Sequence, residues 1–598
     1  MIRLLSLTLL VVPALALTPQ EEINTQAPAA KAILDGWQNQ NPQRAERKLH
    51  IVYWSPSDRE PAPRYRERLS AIMEDIRKFY AAQMEHNGFG PRTFNLDHAA
   101  DGLINIHVVK GEQPYAHYGN PSGDEIRGEC KTQLKAEGVD LDNETIVLFC
   151  NMANWNPETR NVSQNSPYYA FGTNHSGCAW QVDSPILELS QLANKGDNVH
   201  DGQYRNISLG RYNSIFIGGI AHELGHALSL PHNAQRKDQR EAFGIALMGA
   251  GNREYGTALR GEGNGAFITL AHAMRLASHP LFCGSVKGMT DKPTAKPENL
   301  SFKAVDKTIV ITGKIVSKVP VYGVVAYDDP AGGNDYDSPT ATAVPDKDGN
   351  FTLTCTDLVA NKGGELRLFF LEANGIPSGF LSHTPYVYNY NVKADGTADV
   401  SAIEASKLLK PLIEAKSGAD TADAFKAINF AGTAPEVKKA AESMMRGKMS
   451  EKPWSTPATA PGVAYSLAAS DWSSARTGYG NPKGGVLPES PWLFISNGRL
   501  FSDGLYAHAP SNYTYALDGK WKSLTGTCGL IDGKDGSVGF QILGDGKELF
   551  KTGTLKEGKL AEFKVDVTGV KELQLITNDG GDGNRLDWGA WLAPMLAR

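Results

Sequence analysis

The chain has 598 residues, with 60 Lys plus Arg against 66 Asp plus Glu and a net charge of −6. That length exceeds one hydrophobic core and predicts three or four domains. The balanced charge gives no basic footprint of the kind a nucleic-acid binder carries, and the 41% hydrophobic, 21% charged composition is that of an ordinary soluble globular protein.

The first residues, MIRLLSLTLLVVPALALTPQ, combine a basic Arg3, an apolar run at 4–12 and the small-residue cleavage pattern Ala14-Leu15-Ala16. This predicts a secretory signal peptide over 1–16, because the apolar run is too short to span a bilayer. No Cys follows the run, so no lipid anchor is expected. The mature chain is expected to be exported and monomeric, with no membrane span and no nucleic-acid partner.

Residues 49–56 predict a strand. Leu69, Ile72, Met73, Ile76 and Tyr80 recur at steps of three and four, predicting an amphipathic helix over 64–87 that Gly88 ends. Apolar runs at 104–109 and 145–150 predict two further strands, and GCAWQVDS at 177–184 an edge strand. Together they form a small α/β layer. A helix is expected over about 214–230. Another is expected over 265–282, capped by Thr269 and stopped by Pro280. These elements make up a first domain at 17–288.

At 289–399, runs rich in Val, Ile, Thr and Tyr broken by Gly, Asp and Pro predict a β-sandwich of immunoglobulin or fibronectin type. Residues 400–452 predict short helices, and 453–462 is a Pro-rich linker. Residues 463–598 return to β patterning, with Asp-Gly turn signals at 518–519, 532–533 and 545–546. The expected fold class is multidomain α/β plus all-β. Among Cys130, Cys150, Cys178 and Cys283, one or two disulfides of open connectivity are expected in an exported chain, with Cys355 and Cys528 as buried free thiols.

The stretch AHELGHALSLPHN, 221–233, carries the chemistry. Four residues apart on a helix, His222 and His226 face the same way and suit one Zn²⁺. Glu223 stands beside the first ligand and can serve as general base. Pro231 must turn the chain, and the turn can bring His232 back as third ligand. Glu241 is a weaker candidate for that place.

HELGHALSLPH resembles the metzincin metallopeptidase motif H-E-x-x-H-x-x-G-x-x-H at every fixed place but one. The departure is Ser229. Gly stands there in the family because the chain bends through backbone angles that Gly adopts at low cost; Ser adopts them at roughly 1 kcal/mol. The resemblance implies a metzincin-like domain with a mixed sheet and one catalytic zinc on His222, His226 and His232. It also implies Glu223 as base and a Met-turn at Met248. Tyr255 is a candidate oxyanion stabiliser, and Trp180 and His175 are candidate substrate contacts beside the edge strand. A structural role is the alternative for each.

Residues 463–598 are similar to NPCBM-type carbohydrate-binding modules through Asp471-Trp472, YAHAPS at 506–511 and the closing GDGN and DW pieces at 581–588. That resemblance implies a β-sandwich for galactose-type sugars. Sugar sites join an aromatic platform to a few polar groups. Trp472, Tyr506, His508, Asn578 and Trp588 are the candidates, with core packing as the alternative for the tryptophans. Asp579, Asp582 and Asp587 are candidates for a structural Ca²⁺, against a role in stabilising their turn.

A zinc peptidase joined to a sugar module implies a secreted metalloendopeptidase for glycoproteins, of the mucin-type O-glycopeptidase kind, concentrated by its module on glycan-coated surfaces. Three alternatives stay open. One is a broad-specificity secreted protease that its module merely anchors. Another is a carbohydrate-binding adhesin with a vestigial peptidase domain. The third is a glycoside hydrolase, for which no separated carboxylate pair stands out.

Overall fold

The structure is a computed structural model that describes residues 17–332, 335–449 and 464–598. The signal sequence expected at 1–16 and the linker expected at 453–462 lie outside the described residues. No helix among the described residues is long and apolar enough to cross a membrane. The architecture is mixed α/β followed by β-sandwiches, the class read from the sequence.

The N-terminal unit is built on strands β1 (Lys48–Ser55), β2 (Ile106–Lys110), β3 (Thr145–Cys150), β4 (Tyr169–Gly172) and β5 (Gly177–Val182). Their order is β2-β1-β3-β5-β4, parallel throughout except for the antiparallel edge strand β4. The expected edge at 177–184 is therefore corrected. β5 pairs on both sides and all six of its residues are buried. A strand covered on both faces needs a mostly apolar run, and GCAWQV is apolar but for the buried Gln181. The true edge, YAFG, is too short to be seen by its pattern.

Helices α1 (Pro19–Asn39), α2 (Tyr65–His86), α3 (Gly123–Ala136), α4 (Leu209–Ala227) and α5 (Leu270–Ala277) cover the sheet and each other. α2 buries the predicted stripe of Leu69, Ile72, Met73, Ile76 and Tyr80. α4 begins before its expected start, at a Ser208 cap whose side chain accepts from the Arg211 N–H. The helix expected over 265–282 divides. Ala266–Phe267 pairs with Ile245–Ala246 as a strand, and Thr269 caps α5. Pro280 opens a second short helix, Pro280–Cys283, as proline does well at a first helical position. α1 is closed by a Thr18–Glu21 capping box and buries Ile23, Ala27, Ala30 and Leu34 in the same core as α2 and α4.

The sandwich follows. β6 (Lys296–Val305), β7 (Thr308–Val316) and β10 (Asn350–Cys355) make one sheet. β8 (Val321–Pro330), β9 (Thr340–Ala343), β11 (Gly363–Glu372) and β12 (Val387–Val392) belong to the facing one. Strand alternation divides β8 and β11 between two cores. Val324, Ala326, Leu366 and Leu368 fill the sandwich. Tyr322, Val325, Tyr327, Phe369 and Leu371 enter the core of the N-terminal unit. The Tyr322 hydroxyl donates to the Met274 carbonyl at 2.5 Å.

Short helices, among them α6 (Ser401–Leu408) and α7 (Pro435–Met449), pack with Val486, Leu493, Ile495 and Leu500. Two further sheets close a separate C-terminal core around Tyr513, Leu524, Phe540 and Trp591. At Asp545-Gly546, φ of 48° and 79° makes the expected hairpin between Ser537–Gly544 and Lys547–Lys551.

The expected disulfides are absent. All six cysteines are free thiols. Cys130, Cys150 and Cys178 instead act as small hydrophobes in one apolar cluster with Trp54 and Trp180, and burial pushes the Cys150 thiol up to about 12.

Because Leu34 is fully buried in the common core, Leu34→Ala should lower stability by about 2–5 kcal/mol in a denaturant titration. A loss below about 0.5 kcal/mol would mean that α1 is not part of that core.

Candidate metal centre

The end of α4 builds the site. His222 and His226 lie one turn apart, edge to face, with ring centroids 4.8 Å apart. The helix then closes in a Schellman pattern: the Leu230 N–H donates to the Gly225 carbonyl and the Ser229 N–H to the His226 carbonyl, each at 2.9 Å. Ser229 is the left-handed residue of that motif, with φ of 68°. Its carbonyl accepts from Arg275 Nη2 at 2.7 Å, and the Arg275 guanidinium lies 5.0 Å from the Phe369 ring centroid. The bend that the metzincin Gly makes is thus made here by Ser, its carbonyl gripped from outside the helix.

That bend returns His232 to the helix. Its Nε2 lies 3.0 Å from His226 Nε2, and the donor nitrogens of all three histidines lie within 4.8 Å of one another. Among the described residues this is the one group of three or more such side chains that can hold a metal ion. Glu241 lies outside it, exposed on the helix Lys237–Phe243.

Two of the rings are oriented by backbone. His222 Nδ1 lies 2.8 Å from the Leu247 carbonyl, and His226 Nδ1 lies 2.7 Å from the Leu230 carbonyl. A carbonyl only accepts, so each Nδ1 holds the proton and each Nε2 offers a lone pair to the common point. Between His226 and His232, either a proton or a cation must separate the facing nitrogens. Burial holds all three rings neutral: His222 lies well below the ordinary histidine range, His226 below it and His232 at about 4. Neutral imidazole is the ligand form, and three such nitrogens converging on one point suit zinc.

Met248 is buried beneath the helix. A Cβ on Gly225 would run into its sulfur, so any larger residue there must displace the Met248 side chain. The Leu247 carbonyl holds His222. The Met248 carbonyl accepts from Asn233 N–H at 3.3 Å, next to His232. One turn of chain therefore braces both ends of the ligand set. From the other side, the Tyr80 hydroxyl donates to the Ala221 carbonyl at 2.8 Å.

Glu223 is half-buried, and burial pushes its carboxyl up to about 8. Two phenols that sequence reasoning missed lie close enough to feel its charge. Tyr168 has its hydroxyl against Gly219, one turn before Glu223. Tyr336 comes from the sandwich, on the connection between β8 and β9, and stacks on His232 at 3.7 Å between centroids. No spacing rule links residue 336 to the histidine motif.

Other candidates are placed elsewhere. The Tyr255 hydroxyl donates to Asp75 Oδ2 at 2.8 Å, and its ring packs on Phe79. Trp180 is buried within the cluster of Cys130 and Leu134, which withdraws it from any substrate. His175 sits in the turn from β4 to β5, its Nδ1 within reach of the Thr173 hydroxyl and the Asn174 Oδ1.

In the C-terminal module, Trp472 is core, edge-on to Tyr513. Tyr506, His508 and Trp588 do gather, with Tyr506 and Trp588 centroids 5.1 Å apart. Both of those rings are buried, and Lys534 Nζ lies 4.0 Å from the Trp588 centroid. The ring that faces water is Tyr479, 52% exposed and 5.7 Å from His508. Neither Tyr479 nor Lys534 stood out in the sequence. Asn578 accepts from the Gly580 N–H and serves its own turn. The calcium expectation is also corrected. Asp579 accepts from Gly581 N–H, Asp582 from the Ser537 hydroxyl and Asp587 from Ser537 N–H, and they form no metal-holding group.

Residues 464–597 match the NPCBM/NEW2 domain. No curated protein matches the chain. Among solved structures, wild-type OgpA from Akkermansia muciniphila is similar at 26% identity, over 60% of this chain and 96% of its own, with a TM-score of 0.49. Catalytically inactive OgpA in complex with an O-glycopeptide, glycodrosocin, is similar at 24% identity, over 59% and 94%, with a TM-score of 0.49. The CBM51 module of a Clostridium perfringens GH95 protein, in complex with methyl-galactose, is similar at 26% identity, over 23% and 100%, with a TM-score of 0.21.

The left-handed turn at Ser229 gives a direct test. Ser229→Gly should stay within about 1 kcal/mol of the parent in thermal unfolding, because relief of the strained angle offsets the extra freedom of the unfolded glycine. Ser229→Val should lose about 1–3 kcal/mol, since a β-branched residue resists a positive φ. A valine variant as stable as the parent would contradict the turn.

Proposed function

We propose that the chain is a zinc metallopeptidase that cleaves peptide bonds in O-glycosylated proteins. The observation that carries this reading is the convergence of the His222, His226 and His232 nitrogens beside a half-buried Glu223. Zinc held by these histidines supplies Lewis-acid polarisation of a carbonyl and activates water. The rest is work for the chain itself. Glu223 stands next to His222 on α4, where it takes a proton from water and returns it to the leaving amine. Edge strand β4 leaves one row of backbone groups for an extended substrate to pair with. β4 also lies close to the site, because Gly172 and Gly177 pack against the Ala227 carbonyl at the end of α4.

Support for a glycoprotein substrate comes from the NPCBM/NEW2 match and from the aromatic patch of that module. Tyr479 offers an open ring face for the apolar side of a galactose-type sugar, with His508 and Lys534 as polar neighbours. The module concentrates the peptidase on glycan-bearing surfaces. An export signal at 1–16 and units at 17–288, 289–399, 400–452, 453–462 and 463–598 belong to the same reading.

Digestion of one peptide with and without an O-linked sugar tests it. The parent should cut the glycosylated form, and Glu223→Gln should be slower by about 10²–10⁴ with unchanged zinc content. Equal cutting of the bare peptide removes glycan dependence; parental rates in Glu223→Gln remove the peptidase mechanism. Tyr479→Ala should weaken retention on a galactose-bearing mucin by about 2- to 10-fold while leaving hydrolysis of a short glycopeptide unchanged. Unaltered retention would remove Tyr479 from the sugar site.

A further inference from the structure

Of the three converging imidazoles, two are held by backbone carbonyls at Nδ1 and the third is not. Among the described residues no hydrogen bond fixes His232 Nδ1. What His232 has is a ring: Tyr336 stacks on it with centroids 3.7 Å apart and planes 29° apart, and lies parallel to His222 at 6.2 Å. The connection carrying Tyr336 is pinned on both sides. Arg367 of β11 donates to Asp335 Oδ1 at 2.8 Å, and the Ala234 N–H, two residues past His232, donates to the Ser338 carbonyl at 2.7 Å. Tyr336 itself is 48% exposed, so core packing does not explain its position.

We propose that Tyr336 is a positioning residue for the metal, supplied by the sandwich. It clamps the His232 ring in its ligating orientation, doing for the third histidine what Leu247 and Leu230 do for the other two. The metal site is then shared between two units of the chain, and zinc affinity depends on the sandwich. This inference rests on the zinc reading above. Groups that orient metal ligands typically alter metal affinity by about 10–100-fold when removed. Those groups usually act through a hydrogen bond; here the aromatic face does the work.

The test is zinc affinity of the full chain, by chelator competition at fixed pH, for the parent, Tyr336→Ala and Tyr336→Phe. Cobalt substitution adds a second readout, because the visible absorption of bound Co²⁺ reports ligand geometry. Tyr336→Ala should bind zinc about 10-fold or more weakly and shift the cobalt spectrum, with the metal-free protein melting as the parent does. Tyr336→Phe keeps the ring and should stay within about 3-fold of the parent. Equal affinity and spectra in Tyr336→Ala and the parent overturn the inference alone. A Tyr336→Phe variant as weak as Tyr336→Ala overturns the stacking role and assigns the effect to the hydroxyl. A parent that takes up no zinc overturns both this inference and the reading beneath it.

Discussion

Ring nitrogens bearing lone pairs do not come within 3.0 Å of one another without a proton or cation to share. This electrostatic demand organises the N-terminal unit. A helix brings two imidazoles to one face, but it cannot supply the third from its own surface. The chain must leave the helix, reverse, and be held while it does so. The Schellman closure at Leu230, the turn at Leu247-Met248 and the buried sulfur under Gly225 each secure part of that reversal.

Ser229 shows how a position that favours glycine can hold another residue. The left-handed angle costs roughly 1 kcal/mol. The charge-assisted bond from Arg275 to the Ser229 carbonyl is a contribution of about 1.5–3 kcal/mol, enough to offset it. Arg275 is set in turn against Phe369 of the sandwich. The local irregularity is thus tolerated because distant chain supports it. That distant support is also why the motif alone left the turn undecided.

What was legible in the sequence was local. The spacing of His222, His226 and His232, the apolar stripe of α2, the strand at 145–150 and the Thr269 cap are all written within a few residues of themselves. The misses share a different character. Whether GCAWQV lies at an edge depends on a neighbour four residues long. Whether Cys130, Cys150 and Cys178 pair depends on directions that only packing sets, and packing made them apolar filler. Tyr336 reaches the histidines through a strand connection in another unit. Tyr479 and Lys534 meet Trp588 across loops. Trp180 and Tyr255 looked available because aromatic residues near a site in sequence invite that reading; Trp180 is buried, and the Tyr255 hydroxyl is engaged by Asp75.

The division of β8 and β11 between two cores reaches further than geometry. Tyr322, Val325 and Phe369 lie in the same hydrophobic cluster as Met248 and the inner face of α4, so the sandwich cannot loosen without disturbing the chain around the histidines. Any ion bound there stabilises whatever unfolds together with its site, by about 4 kcal/mol at a thousandfold excess over the dissociation constant. That stabilisation extends to the sandwich through the common core. The C-terminal module is closed around its own core and meets the sandwich through polar contacts of Asn497 and Asp532. An ion bound at the three histidines is therefore a thermodynamic fastener for two units at once.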